Sequence, residues 1–341
     1  MISLYPLRLE PLYRRYLWGG RKLATVLGRQ LPPGDDFAES WEVVDRGPDQ
    51  SRIAAGPLAG TTLGELLRRA PRQLLGERGA DRARAQARQL GAPEASLSFP
   101  LLIKLLDAQR SLSVQVHPDD ERAVRRTPPD LGKTEAWVVL DAVPGATVYA
   151  GLKPGCGPAE LVAAVAQGKT ADCLHCFQPA VGDCLFLPAG TVHALGAGLV
   201  VYEVQQSSDT TYRLYDWQRV GTDGKPRALH IPEALEAINY QAGPVTPQVP
   251  QPGAVPDVER LVTCDKFRLD RWRTSRPLTL GGDDSCRVVT VVQGTVEVAG
   301  DGVAQPLVAG QTVLLPADLA PTQFCPLTPA QLLVAQDHDG G

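Results

Sequence analysis

Two stretches of this chain, GDCLFLPAGTVH from Gly182 and GQTVLLPADLAP from Gly310, each read glycine, five residues, then Pro-Ala. A glycine turn, a short apolar run and a proline turn make one β unit. Its recurrence predicts two copies of a small β architecture. The copies differ where chemistry would sit. Eleven residues past each glycine stands His193 in the first copy and Pro321 in the second. Only the first keeps a metal-ligating side chain, so the second is expected to be a degenerate partner.

The rest of the chain agrees with a mainly β protein of two jelly-roll domains carrying a few inserted helices. From Phe99 onward come short apolar runs: FPLLIKLLDA, LSVQVH, EAWVVLDA, ATVYAG, and later FRLDRW, RVVTVVQGTVEVAG and QTVLLPA. PAELVAAVAQG and IPEALEAINY interrupt them as helices, and TLGELLRR opens a helical stretch earlier. Residues 241–257 hold five prolines in seventeen positions, which favours an extended connector. The expected division is 1–98, a segment adding strands and a helical stretch to the first domain, and 99–240, a jelly roll with a metal site. A proline-rich linker over 241–256 and a degenerate C-terminal domain over 257–341 complete it.

Composition narrows the function. A formal charge of −4 with no basic stripe excludes a nucleic-acid footprint, and RGADRARAQARQ reads as a solvated helix face. Residues 184–202 are uncharged except for possible histidine charge, yet Pro188, Gly190, Gly196 and Gly198 make them strand and turn rather than a membrane span. The N-terminus carries Arg and Glu early and does not resemble a signal peptide. Seven irregularly spaced cysteines point to reduced thiols in a cytoplasm, and CLHC (173–176) lacks the second pair that a zinc site needs.

In SLSVQVH (111–117), strand alternation puts Ser113, Gln115 and His117 on one face and Val114 and Val116 on the other. GKTEAW follows, with Lys133 and Glu135 sharing a face, and His193 ends the PAGTVH turn. Two imidazoles, a carboxylate and an amide oxygen suit a divalent metal such as zinc, with a position left for water or substrate. His175, His230 and His338 lack companions and read as structural or solvent-facing. In YEVQQSSDTTYRLYDW (202–217), Thr211, Arg213 and Tyr215 alternate onto one face. Arg213 offers a planar fork for phosphate or a developing oxyanion, or else pairs with Asp209 or Asp216.

FPLLIKLLDA, LSVQVHPDD, GKTEAWVVL, GDCLFLPAGTVHALGAG and EVQQSSDTTYRLYDW, in this order after WGG and ESWE, resemble the signature segments of the type I mannose-6-phosphate isomerases of the cupin superfamily, in their short bacterial form. The resemblance covers most of residues 12–239 and fades to a cupin-like strand pattern beyond the linker. It implies one zinc ion per chain held by Gln115, His117, Glu135 and His193. It also implies that Arg213 is catalytic, that Ser113, Lys104 and Lys133 line the sugar-phosphate site, and that Glu203 is an acidic residue there.

The implied reaction interconverts mannose 6-phosphate and fructose 6-phosphate through an enediol. It needs a base near neutrality, a polarised carbonyl and a phosphate anchor. Lys133, its pKa lowered by a nearby dication, and Glu203 are the base candidates, and Arg213 is expected to stabilise enediolate charge. Two rival readings fit fewer residues. One is an iron or manganese cupin oxygenase using His117, Glu135 and His193; the other is a silent sugar-phosphate-binding protein. Neither nucleic acid nor membrane is expected as a partner.

Overall fold

The computed structural model describes residues 2–93, 96–221, 224–253 and 255–338. Its frame is two antiparallel sandwiches. In the first, a six-stranded sheet runs in the order Cys184–Leu187, Glu135–Ala142, Leu199–Gln206, Leu101–Ala108, Phe37–Val43, Leu12–Gly20. A five-stranded sheet packs on it, ordered Leu174–Phe177, Val148–Leu152, His193–Leu195, Val114–Val116, Tyr212–Tyr215.

The continuous apolar runs have a direct cause. Leu101–Ala108 and Leu199–Gln206 are buried along their whole length because both faces of the six-stranded sheet are covered. Its outer face, with Ile103, Leu105, Val138, Tyr202 and Val204, packs against Leu7, Leu261, Phe267, Val288, Leu314 and Leu333 in one apolar core. Its inner face alternates with the outer one and carries Lys104, Glu135, Trp137 and Glu203 toward the five-stranded sheet. The charged residues of these strands therefore sit inside the sandwich, where only function or pairing can offset their desolvation.

The second sandwich joins a seven-stranded sheet, centred on Arg287–Gln293, Ala330–Asp337 and Phe267–Thr274, to a four-stranded one of Leu278–Leu280, Thr322–Pro326, Thr295–Val298 and Leu307–Val308. The N-terminal segment divides between the two. Leu12–Gly20 and Phe37–Val43 extend the first sandwich, whereas Leu7–Arg8 pairs with Thr312–Leu315 of the second. Helices stay peripheral. Leu63–Arg69 has a full Thr62–Glu65 capping box, and Pro71–Gln89 turns Ala80, Ala83 and Ala87 inward while its arginines face out or pair. Among the described residues no helix is long and apolar enough to cross a membrane.

The sequence repeat has a matching hydrogen-bond pattern. Gly182 N donates to Val139 O and Val139 N to Asp183 O; Gly310 N donates to Val291 O and Val291 N to Gln311 O. Both glycines hold positive φ, +93° and +83°, where a side chain would strain the turn. The strands that follow are Cys184–Leu187 and Thr312–Leu315. The proline-rich segment is tied down: Val245 N donates to Ala150 O, Gln248 N to Cys184 O, and Gln251–Pro252 pairs with Val258–Thr263.

Candidate metal centre and sugar-phosphate cavity

His117 leaves the end of Val114–Val116 and His193 opens His193–Leu195, the neighbouring strand, in which His193 stands directly opposite Gln115. Both rings are buried. Each Nδ1 faces a backbone carbonyl, that of Thr210 for His117 and that of Thr191 for His193, both at 2.9 Å. The hydrogen-bond network therefore assigns the proton to Nδ1 and leaves both Nε2 lone pairs pointing inward. Burial, then the Lys133 charge, hold His117 well below its ordinary pKa, so it is a neutral imidazole, the form that ligates.

Glu135 closes the set. His193 Nε2 lies 3.2 Å from its Oε1 and His117 Nε2 3.6 Å from its Oε2. Donor atoms at the corners of a tetrahedron with bonds of ~2.1 Å stand about 3.4 Å apart, so this spacing fits a metal such as zinc. Both carboxylate oxygens are buried without a well-formed hydrogen bond, although Lys133 Nζ is 2.8 Å from Oε2. Lys133 thus meets one oxygen, and a bound cation would meet the other, which faces His193. Among the described residues, His117, Glu135 and His193 are the His, Cys, Asp or Glu residues that cluster this way. Gln115 completes the ring: its Nε2 is 3.4 Å from His193 Nε2, and turning the amide over would present Oε1 instead.

Above the cluster lies a cavity of about 320 Å³. Lys133 reaches it from the loop before Glu135–Ala142, with Nζ also 3.3 Å from Glu203 Oε1. Burial works against its charge, but Glu135 and then Glu203 outweigh that and hold it protonated, above the usual lysine range. These two carboxylates therefore oppose the lowering that a nearby dication is expected to bring. Glu203 shows the opposite balance. Burial raises its carboxyl to about 7 against the pull of Lys104 and Lys133. Lys104 stands opposite Glu203 in the strand register, with Nζ 3.8 Å from Glu39 Oε2 and over the Trp41 ring. Ser113 lines the cavity from the side of the five-stranded sheet and donates to Gln115 Oε1 at 3.4 Å.

Arg213 and Thr211 border the cavity, but Tyr215 does not. A register shift between Arg213 and Tyr215 breaks the strict alternation, and Tyr215 turns onto Trp217. Arg213 forms no ion pair with Asp209 or Asp216; Asp216 is held by Arg219 and Arg227. Arg213 instead donates from one terminal nitrogen to Ala228 O at 2.9 Å, and its buried Nε has no partner. His230 is structural: its Nδ1 accepts from Arg213 N. His175 stacks on Phe177, and His338 Nδ1 meets Cys264 O.

Sequence reasoning assigned no role to Trp18, Glu39, Trp41 or Trp137, which also line the cavity. The WGG and ESWE motifs and the tryptophan of GKTEAW were the available signals. Trp137 packs its ring edge-on to His193, with centroids 5.3 Å apart.

A model of the catalytic domain of type I phosphomannose isomerases matches residues 6–133, which include Lys104, Gln115, His117 and Lys133. A probable mannose-6-phosphate isomerase of Bacillus subtilis, GmuF, is 34% identical over 92% of this chain and 94% of its own length. ManA, a mannose-6-phosphate isomerase of the same organism, is 33% identical over 92% and 94%. The mannose-6-phosphate isomerase of Streptococcus mutans is 31% identical over 94% of this chain and 95% of its own. The crystal structure of a Bacillus subtilis mannose 6-phosphate isomerase superposes with a TM-score of 0.84 at 28% identity, over 97% of this chain and 99% of that one.

Proposed function

The chain belongs to the type I phosphomannose isomerase family, and from that premise we propose which of its residues carry the chemistry. It is an aldose–ketose isomerase that interconverts mannose 6-phosphate and fructose 6-phosphate through an enediol. The metal is zinc, one ion per chain, held by Gln115, His117, Glu135 and His193. The observation that carries this reading is the buried Glu135 carboxylate set between two inward-facing imidazole nitrogens at the floor of the cavity. When bound, zinc supplies Lewis acidity toward a sugar oxygen.

The chain's own groups do the rest. Glu203, with a carboxyl raised to about 7, takes the proton from one of C1 and C2 and returns it to the other. Lys133, kept as an ammonium, donates to the oxygen on which negative charge grows. Arg213, with its free Nε, stabilises the enediolate. Lys104 and Ser113 orient the sugar phosphate. Residues 99–240 with the strands Leu12–Gly20 and Phe37–Val43 form the catalytic unit, 241–256 the connector and 257–341 a metal-free partner. A cytoplasmic location is supported by seven free thiols.

The test is a coupled assay of fructose 6-phosphate formation from mannose 6-phosphate, before and after chelation, with metal content measured on the same samples. We expect turnover that is lost with the metal and restored by zinc. Turnover undiminished in metal-free protein would overturn the zinc assignment.

A further inference from the structure

Among its described residues the second sandwich holds no metal-ligand cluster, yet it reaches the catalytic loop. Lys266 sits in the turn between Val258–Thr263 and Phe267–Thr274. Its Nζ lies 2.8 Å from Asp120 Oδ2 of the first sandwich, and 2.8 Å from its neighbour Asp265. The other Asp120 oxygen accepts two bonds, from Gly132 N at 2.8 Å and from Gln206 Nε2 at 3.0 Å. Gln206 Oε1 in turn accepts from Thr134 N at 3.0 Å, and Gln206 N donates to Thr134 O at 3.2 Å.

Gly132 and Thr134 flank Lys133 and lead directly into Glu135. Asp120 and Gln206 therefore fix the backbone on both sides of Lys133. The loop has no slack in this contact: a Cβ on Gly132 would fall 2.5 Å from Asp120 N. Burial alone would raise the Asp120 carboxyl, but the Lys266 contact and these N–H donors hold it below its ordinary range. Gln206 also ends the strand that carries Glu203.

We propose that Lys266 is a positioning residue of the isomerase site, acting through Asp120 to fix the loop that presents Lys133 and Glu135. The degenerate sandwich is then a brace for the catalytic one. This rests on the roles given above to Lys133 and Glu135. Turnover by the metal-loaded wild type tests those roles separately, whereas the brace is read from variants relative to it.

Lys266→Met keeps the aliphatic stem and removes the charge. We expect kcat to fall several-fold, less than the ~10–100-fold for groups bonded directly to a metal ligand, with KM little changed. Zinc should be surrendered more readily to a competing chelator. Lys266→Arg should restore both properties. Asp120→Asn should reproduce the loss, and the double variant should be no worse than either single one, because both break one link. Asp120→Asn carries the same comparison if Lys266→Met does not yield folded protein. A variant with lowered Tm but wild-type kcat and zinc retention would overturn the proposal. So would losses that simply multiply in the double variant.

Discussion

Glu203 stands directly opposite Lys104 on adjacent strands, and both line the cavity. The pairing does not make Glu203 an ordinary carboxylate. Burial outweighs the attraction of Lys104 and Lys133, and its carboxyl titrates at about 7. One acid in the wall can therefore release and recover a proton near neutral pH.

The sign of the pH dependence follows. A base must be deprotonated, so kcat/KM should fall as pH drops through about 7 and level off above it. A bound metal cation lowers the Glu203 pKa, placing the limb lower on the scale in the loaded enzyme. Glu203→Gln should abolish this limb and cost about 10²–10⁴ in kcat. A limb that persists unchanged in Glu203→Gln would assign it to another group.

Arg213→Lys keeps the charge but loses the planar fork and the Nε donor. If Arg213 stabilises the enediolate, kcat should fall by about 10²–10³ with KM little changed. Steady-state kinetics with mannose 6-phosphate at saturating zinc separate this from phosphate anchoring, in which KM rises and kcat is nearly kept.

His193→Ala removes one inward-facing nitrogen from the set around Glu135. Zinc and turnover should be lost together, with metal content measured after dialysis. His175→Ala, which disturbs only a ring stacked on Phe177, should keep both.

Wild-type protein should bind one equivalent of zinc tightly and His193→Ala none. Pro321 in the second copy packs on Gly282 in a turn, and a proline ring offers no ligand atom. A tight equivalent retained by His193→Ala would place a second site elsewhere.

Strand alternation and turn residues made much of this legible. Alternation put Gln115 and His117 on one face, and the family's motifs joined Glu135 and His193 to them; three of the four lie in strands and His117 just past one. Tyr215 was misplaced because a bulge after Arg213 leaves no sequence signature. The contact of Lys133 with Glu203 had no sequence signal, because the two are far apart along the chain and close in space. Lys266 and Asp120 escaped notice for the same reason: neither belongs to a motif whose partner is local.

Leu7 and Arg8 pair with Leu314 and Val313, far downstream in the chain. On the ribosome that short strand has no partner until Thr312–Leu315 has emerged. The apolar core shared by Leu7, Ile103, Tyr202, Phe267 and Leu333 likewise stays open until then. The enzyme should therefore gain activity late and abruptly during synthesis rather than when the catalytic segment is finished. The nascent first sandwich, with its outer sheet face still bare, is the species that chaperones would meet.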